Sequence, residues 1–259
     1  MEILIKNSTH GEIFTILFQH MKLFTENLNI HLQDDKIFIQ GMDNGHVSVF
    51  EIKLPKTWFD EYKLNSSSII GVNTNMLFRI LNSREKSHDI HLLMNDENSD
   101  KLEIHLLSEN SSVVDLHYVI PLIDIDSEVM SIPEMDYQAE ISLPSTVFST
   151  LIDQMKLFGE TFNIICNEEK VQMNAESIDC GKMYVDIPID DLTAYAIDED
   201  EILDLSFSIS HLKNICLYNK ISKDIDIYLK KDFPIKLVYT LNNSDAQAIF
   251  YLAPKIDDQ

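Results

Sequence analysis

His46 is the side chain that most invites a catalytic reading, as a proton carrier at neutral pH. No Ser, Cys or carboxylate stands at an identifiable triad spacing from it, so nucleophilic chemistry has nothing to build on. Cys166, Cys180 and Cys216 lie far apart without a CxxC or Cys/His ligand pattern; they read as reduced, packed thiols rather than a disulfide or zinc framework. The chain has 6 glycines and no GxxxxGK, GxGxxG, GxSxG or HExxH motif, which leaves no phosphate loop, nucleophile elbow or zincin helix. The scattered Asp and Glu residues read as a solvated acidic face. The expectation is a protein with no catalytic residue, no cofactor and no metal.

The 20 basic and 43 acidic side chains give a formal charge of −23, which repels a polyanion at long range and argues against a conventional nucleic-acid binder. At 259 residues and 45% hydrophobic content, one large core or two smaller ones are both feasible. The N-terminal MEILIKNSTHGE lacks a signal peptide's basic flank and apolar core, and no apolar run approaches a membrane span. An intracellular protein is expected, and the sequons at Asn7, Asn65 and Asn110 read as chance matches.

Residues 21–36 read MKLFTENLNIHLQDDK and residues 155–170 read MKLFGETFNIICNEEK, identical at eight of sixteen positions without a gap. The offset persists: DIHLLMN from Asp89 faces DIDIYLK from Asp224, and KLEIHL from Lys101 faces KLVYTL from Lys236. This is a large unit present twice. Ser8-Thr9 with Glu12 resembles a capping box before apolar residues at helical spacing. The counterpart helix opens at Pro144-Ser145. Alternating segments predict strands after each, TNMLFRILNS and SHLKNICLYN predict a second helix per copy, and further alternating segments follow. Each copy is expected to be α+β, with two helices on one face of an antiparallel sheet. In the MKLF units, Met21/Met155, Leu23/Leu157 and Phe24/Phe158 are assigned to packing.

Domains are expected at 1–120 and 138–259, joined by an acidic extended linker over 121–137. Its apolar Val129, Met130 and Ile132 suit either packing on its own sheet or a partner.

Several separated segments, in this order, resemble the sliding-clamp family of proliferating cell nuclear antigen. They are GMDNGHVSVFEI (41–52), SIPEMDY (131–137), LPSTVF (143–148), DFPIKLVY (232–239) and YLAPKIDD (251–258). The resemblance implies a ring of three subunits around duplex DNA, helices lining the hole and antiparallel sheets outside. Its task would be to tether DNA polymerases and other replication or repair factors in the nucleus, or at a viral replication site, with a clamp loader to place it and no membrane. The seam would join a strand bearing Leu116, Tyr118 and Ile120 to one bearing Cys180, Met183 and Val185 of the next copy.

On that geometry the inner polar stripes are Glu12, Thr15, Gln19, Lys22 and Glu26, then Thr146, Ser149, Asp153, Lys156 and Glu160. DNA-facing candidates are Lys22, Arg79, Arg84, Lys156, Lys213 and Lys220, with His20 and His211. This is fewer cations than family members usually place there. With a Debye length of ~8 Å at physiological salt, acids on the outer surface are screened from a centred duplex. A few phosphate contacts then permit sliding, and topology supplies retention.

The resemblance also implies an apolar pocket for partner peptides of the form Gln-x-x-aliphatic-x-x-aromatic-aromatic. It carries over onto Met42, His46, Val47, Val49, Met130, Ile132, Pro133, Tyr137, Pro234, Tyr251, Leu252, Ala253 and Pro254. One family position departs: the lysine often used for ubiquitin attachment aligns with Glu168. The rival readings are a clamp-fold polymerase accessory protein that is monomeric or part of a mixed ring, and an acidic docking scaffold that never encircles DNA.

Overall fold

The structure, a computed structural model, describes residues 1–6, 8–95, 100–242 and 244–255; Asn7 and positions 256–258 of the tail motif lie outside them. The first repeat runs β1 (Glu2–Ile5), α1 (Ser8–Met21), β2 (Asn27–Leu32), β3 (Lys36–Met42), β4 (Ser48–Pro55), β5 (Glu61–Lys63), β6 (Ser68–Asn73), α2 (Thr74–Leu81), β7 (Asp89–Leu93), β8 (Lys101–Leu107) and β9 (Leu116–Pro121). The second repeats the order: β10 (Ala139–Pro144), α3 (Ser145–Met155), β11 (Thr161–Cys166), β12 (Lys170–Ser177), β13 (Gly181–Pro188), β14 (Ala194–Ile197), β15 (Leu203–Ser208), α4 (Ile209–Cys216), β16 (Asp224–Leu229), β17 (Ile235–Thr240) and β18 (Gln247–Leu252). The class is α+β, as the sequence predicts. Among the described residues no helix is long and apolar enough to cross a membrane.

The chain divides into two compact units. The first holds Met1–Asn44, Glu51–Met130 and Leu241–Gln247; the second holds Gly45–Phe50, Ser131–Thr240 and Ala248–Gln259. The division falls inside the expected linker, between Met130 and Ser131, and each unit takes a short segment from the far part of the chain.

Within each unit the strands pair in two runs, where one sheet was expected. In the first unit the runs are β5-β1-β7-β8-β9 and β4-β3-β2-β6. In the second they are β14-β10-β16-β17-β18 and β13-β12-β11-β15. The reason lies in strands the alternation does not reveal. β1 has only 4 residues, and β6 reads SIIGVN with a glycine inside an apolar run. With them the sheets have enough width to split and enclose a core.

In the first unit Ile3 and Leu92 of one sheet and Ile30, Ile39 and Ile70 of the other line one small apolar space with Phe14 and Phe18 of α1. Period-two burial sets the sheet faces: Ile90, Leu92, Ile104 and Leu106 are buried, while His91, Glu103 and His105 between them are half-buried. In the second unit Ile225, Ile227 and Leu229 of β16 are fully buried. Each such side chain contributes about 1.5–3 kcal/mol by leaving water.

The helices form for local reasons as well. Asn73 caps α2, its side-chain oxygen accepting the Met76 amide at 2.9 Å, which satisfies one of the helix's orphan donors. Leu77, Ile80 and Leu81 then bury one face, and Leu212, Ile215 and Cys216 do the same in α4. α1 begins at Ser8, so Thr9 lies within the first turn and not before it, where the expected capping box put it.

Candidate functional site

In each unit the two helices pack side by side, α1 with α2 and α3 with α4. Lys22 follows α1 directly, and its ammonium stands 4.2 Å from the centroid of the Phe78 ring. That contact holds a cation over an aromatic face without neutralising it. Arg79, in the last turn of α2, is exposed. In the second unit Lys156 is paired with Glu160 four residues on, past the end of α3, Lys213 with Asp153 at 2.9 Å, and Lys220 is exposed after α4. The His211 ring nitrogen Nδ1 lies 2.9 Å from Ser208 Oγ.

Two of the expected phosphate-facing residues are placed otherwise. His20 is only 3% exposed, because its position on α1 faces the core beside Met21. Arg84 is half-buried: its Nη1 donates to the carbonyls of Glu85, Lys86 and His88 at 3.4, 3.3 and 3.2 Å. Its Nη2 donates to the Ser8 carbonyl at 3.4 Å. The guanidinium lies against Gly11, where a Cβ would come within 3.0 Å of Cζ, and burial draws its pKa down against the pull of Glu12 and Asp89. Arg84 therefore ties the loop after α2 to the start of α1.

The MKLF units differ from expectation in one letter. Met21 and Met155 are fully buried and Phe24 is nearly so, but Leu23 is 48% and Leu157 72% exposed. Both leucines sit in the turn after the helix, where the chain has left the 3.6-residue period that the assignment assumed. Each repeat thus presents a lysine and a leucine together in that turn.

The seam residues lie on sheet edges. β9 ends the five-stranded sheet and β13 ends the four-stranded sheet of the second unit. On β9, Leu116 and Tyr118 are half-buried, Ile120 is buried, and the Tyr118 hydroxyl lies 2.9 Å from Ser83 Oγ. On β13, half-buried Met183 and Val185 alternate with exposed Lys182, Tyr184 and Asp186. Cys180 is exposed in the turn before it. The other two thiols are packed, and burial pushes Cys166 up to about 12 and raises Cys216 as well, so neither is a nucleophile at neutral pH.

The expected docking residues fall in both units. In the second, His46 is exposed in a left-handed turn (φ 55°), and the Ala253 amide donates to the Val47 carbonyl at 3.0 Å. Val49, Ile132, Pro234, Tyr251, Ala253 and Pro254 are half-buried and Pro133 is exposed. The Tyr137 and Tyr228 rings are 5.4 Å apart and tilted at 52°, with the Lys236 ammonium over both. Leu252 is fully buried; as an inward position of β18 it serves the core, and only its neighbours remain available at the surface. In the first unit Met42 is half-buried and Met130 is 36% exposed.

Sequence reasoning missed the residues that fix the linker. The Ile123 amide donates to the Gly71 carbonyl at 2.9 Å. Asn29, itself buried, donates to Ile125 O and Ser127 Oγ at 3.0 and 2.9 Å. Gln40 grips Met130 at both backbone groups, accepting its amide at 2.7 Å and donating to its carbonyl at 2.9 Å. The one available signal was the glycine inside SIIGVN, which marks close backbone approach.

Comparison with known proteins agrees with this arrangement. The family model for the N-terminal domain of proliferating cell nuclear antigen matches residues 3–129, and that for its C-terminal domain matches 131–256. The chain is 28% identical to the proliferating cell nuclear antigen of Chaetomium thermophilum over 92% of each chain. It is 25% identical to that of Saccharomyces cerevisiae over 96% of each. With two matched domains meeting where the two units divide, the chain belongs to the proliferating cell nuclear antigen family of DNA sliding clamps.

Proposed function

We propose that three copies of this chain close head to tail around duplex DNA, and that the ring tethers DNA polymerases and other replication and repair proteins in the nucleus without catalysing a reaction. The observation that carries this reading is the state of the sheet edges. An open edge templates pairing with another chain unless it is short or covered. β5 has 3 residues and β14 has 4. β6 is covered by the bridge to Ile123, and at β15 the Lys255 amide donates to the Ser206 carbonyl at 2.7 Å. Among the described residues, β9 with 6 residues ends the five-stranded sheet and β13 with 8 ends the four-stranded sheet without such a cover.

A contact from β9 of one chain to β13 of the next would pair these two edges, with Leu116, Tyr118 and Ile120 meeting Met183 and Val185. Repeated three times, such a heterologous contact closes a ring.

Lys22, Arg79, Lys156, Lys213, Lys220 and His211 would then be the residues nearest the duplex, making a few sequence-independent phosphate contacts. The exposed part of the docking set, Met130, Ile132, Pro133, Tyr137, Pro234, Tyr251, Ala253 and Pro254 with Met42, His46, Val47 and Val49, would take the partner's apolar helical turn. A clamp loader would open the ring.

The pairing of Lys156 with Glu160 and Lys213 with Asp153 favours a second reading, an acidic docking scaffold that makes no use of DNA. Retention on circular DNA separates the two. After loading onto nicked plasmid, the ring stays bound through gel filtration and falls off when the plasmid is linearised. Equal retention on both forms, or on neither, contradicts encirclement.

A further inference from the structure

Three histidines that are far apart in sequence stand side by side across the five-stranded sheet of the first unit. His91 on β7 is directly opposite His105 on β8, and His105 is directly opposite His117 on β9. All three belong to the outward set, since the residues flanking them on β7 and β8, Ile90, Leu92, Ile104 and Leu106, are buried. The His105 and His117 rings are 4.5 Å apart, inclined at 75°. Glu103 Oε2 lies 3.5 Å from His105 Nε2.

Neighbouring strands run about 4.8 Å apart. Two imidazoles opposite one another can therefore bring nitrogens to a single ion with Zn–N bonds of about 2.0–2.1 Å. The geometry points to a transition-metal site of the zinc type on this sheet face, in which His105 and His117 bind the ion and His91 or Glu103 supplies a third ligand. Imidazole suits zinc, copper and nickel, whereas calcium and magnesium prefer a cage of oxygens.

Among the described residues no group of three or more His, Cys, Asp or Glu side chains is placed to hold a metal ion. Convergence here takes rotation of side chains on a backbone that the β7–β8–β9 ladder holds fixed. Neutral imidazole is the binding form. His117 belongs to the edge strand β9, between Leu116 and Tyr118, so binding would tie together three consecutive strands, the edge strand included.

Titration of the full chain with zinc chloride near neutral pH tests this. One zinc per chain is expected, with the imidazole resonances of His105 and His117, of the 9 histidines, shifting in the NMR spectrum of the unaltered protein, and that of His91 as well where it is the third ligand. H105Q and H117Q should each weaken binding at least about tenfold, since loss of an outer partner alone costs that much. H31Q, on the other sheet, should not. Acidification through the imidazole range should release the ion. Absence of zinc binding, shifts at other histidines, or binding unchanged in the doubly substituted chain overturns the site.

Discussion

The backbone of Ile123 passes so close to Gly71 that a Cβ at residue 71 would lie 2.0 Å from the Ile123 carbonyl oxygen, while the Ile123 amide donates to the Gly71 carbonyl at 2.9 Å. Only glycine permits this approach, and it anchors the first half of the linker to the edge of β6. Gly71→Ala should therefore lift the linker, at a cost of about 1–3 kcal/mol. Hydrogen exchange at residues 122–127 should accelerate while exchange in β7 and β8 stays unchanged. Unaltered protection of the Ile123 amide would show that the contact is not needed.

Gln40 holds the end of the same segment, at Met130. Gln40→Ala removes both bonds to that backbone. Binding of a Gln-x-x-aliphatic-x-x-aromatic-aromatic peptide, read by fluorescence anisotropy, should weaken because the docking residues lose their preset positions. Ile132→Ala and Tyr251→Ala should weaken it further, by about 2 kcal/mol each if they are hot spots, with the oligomer unchanged. Full affinity in all three variants would remove these residues from the docking surface.

The lysines of the two repeats should not contribute equally to DNA contact. Lys22 rests on an aromatic ring, whereas Lys156 is held by Glu160. Lys22→Gln should lower the slope of log binding constant against log salt by about one unit. Lys156→Gln should lower it by less, and Glu160→Gln should raise affinity by freeing the ammonium. Equal effects of the two lysine changes would mean that the ion pair dissolves at the duplex.

Leu157 is exposed and Met155 buried, although they are two letters of one repeated motif. Leu157→Ser should change unfolding free energy by no more than about 0.5 kcal/mol. Met155→Ala should cost about 2–5 kcal/mol. Urea melts of both variants measure this, and a large loss from Leu157→Ser would place that side chain in the core.

The elements that were legible in the sequence are those whose burial has a clean period. The 3.6-residue spacing of Leu77, Ile80 and Leu81, and the alternation along β7, β8 and β16, report which face meets the core. What stayed hidden depended on partners distant in the chain. β6 and β15 gave little sign of themselves until their neighbours were known, and His20 looked like a surface cation on the helix it helps to bury. Leu23 and Leu157 were assigned to packing because they keep company with Met and Phe, but the helix has ended by then. Arg84 read as a phosphate ligand because nothing in the local sequence shows that four carbonyls converge on it. The histidine row across β7, β8 and β9 emerges only from strand register.

The central claim is that β9 and β13 are left open because each completes the other in a neighbouring chain. Light scattering on the eluting peak of a sizing column tests it most directly. A ring of three chains of 29.9 kDa should give about 90 kDa, and a charged substitution such as Tyr118→Asp should shift it toward about 30 kDa, the monomer mass, at a seam built this way. A stable mass of about 30 kDa for the unaltered protein at micromolar concentration would contradict the ring.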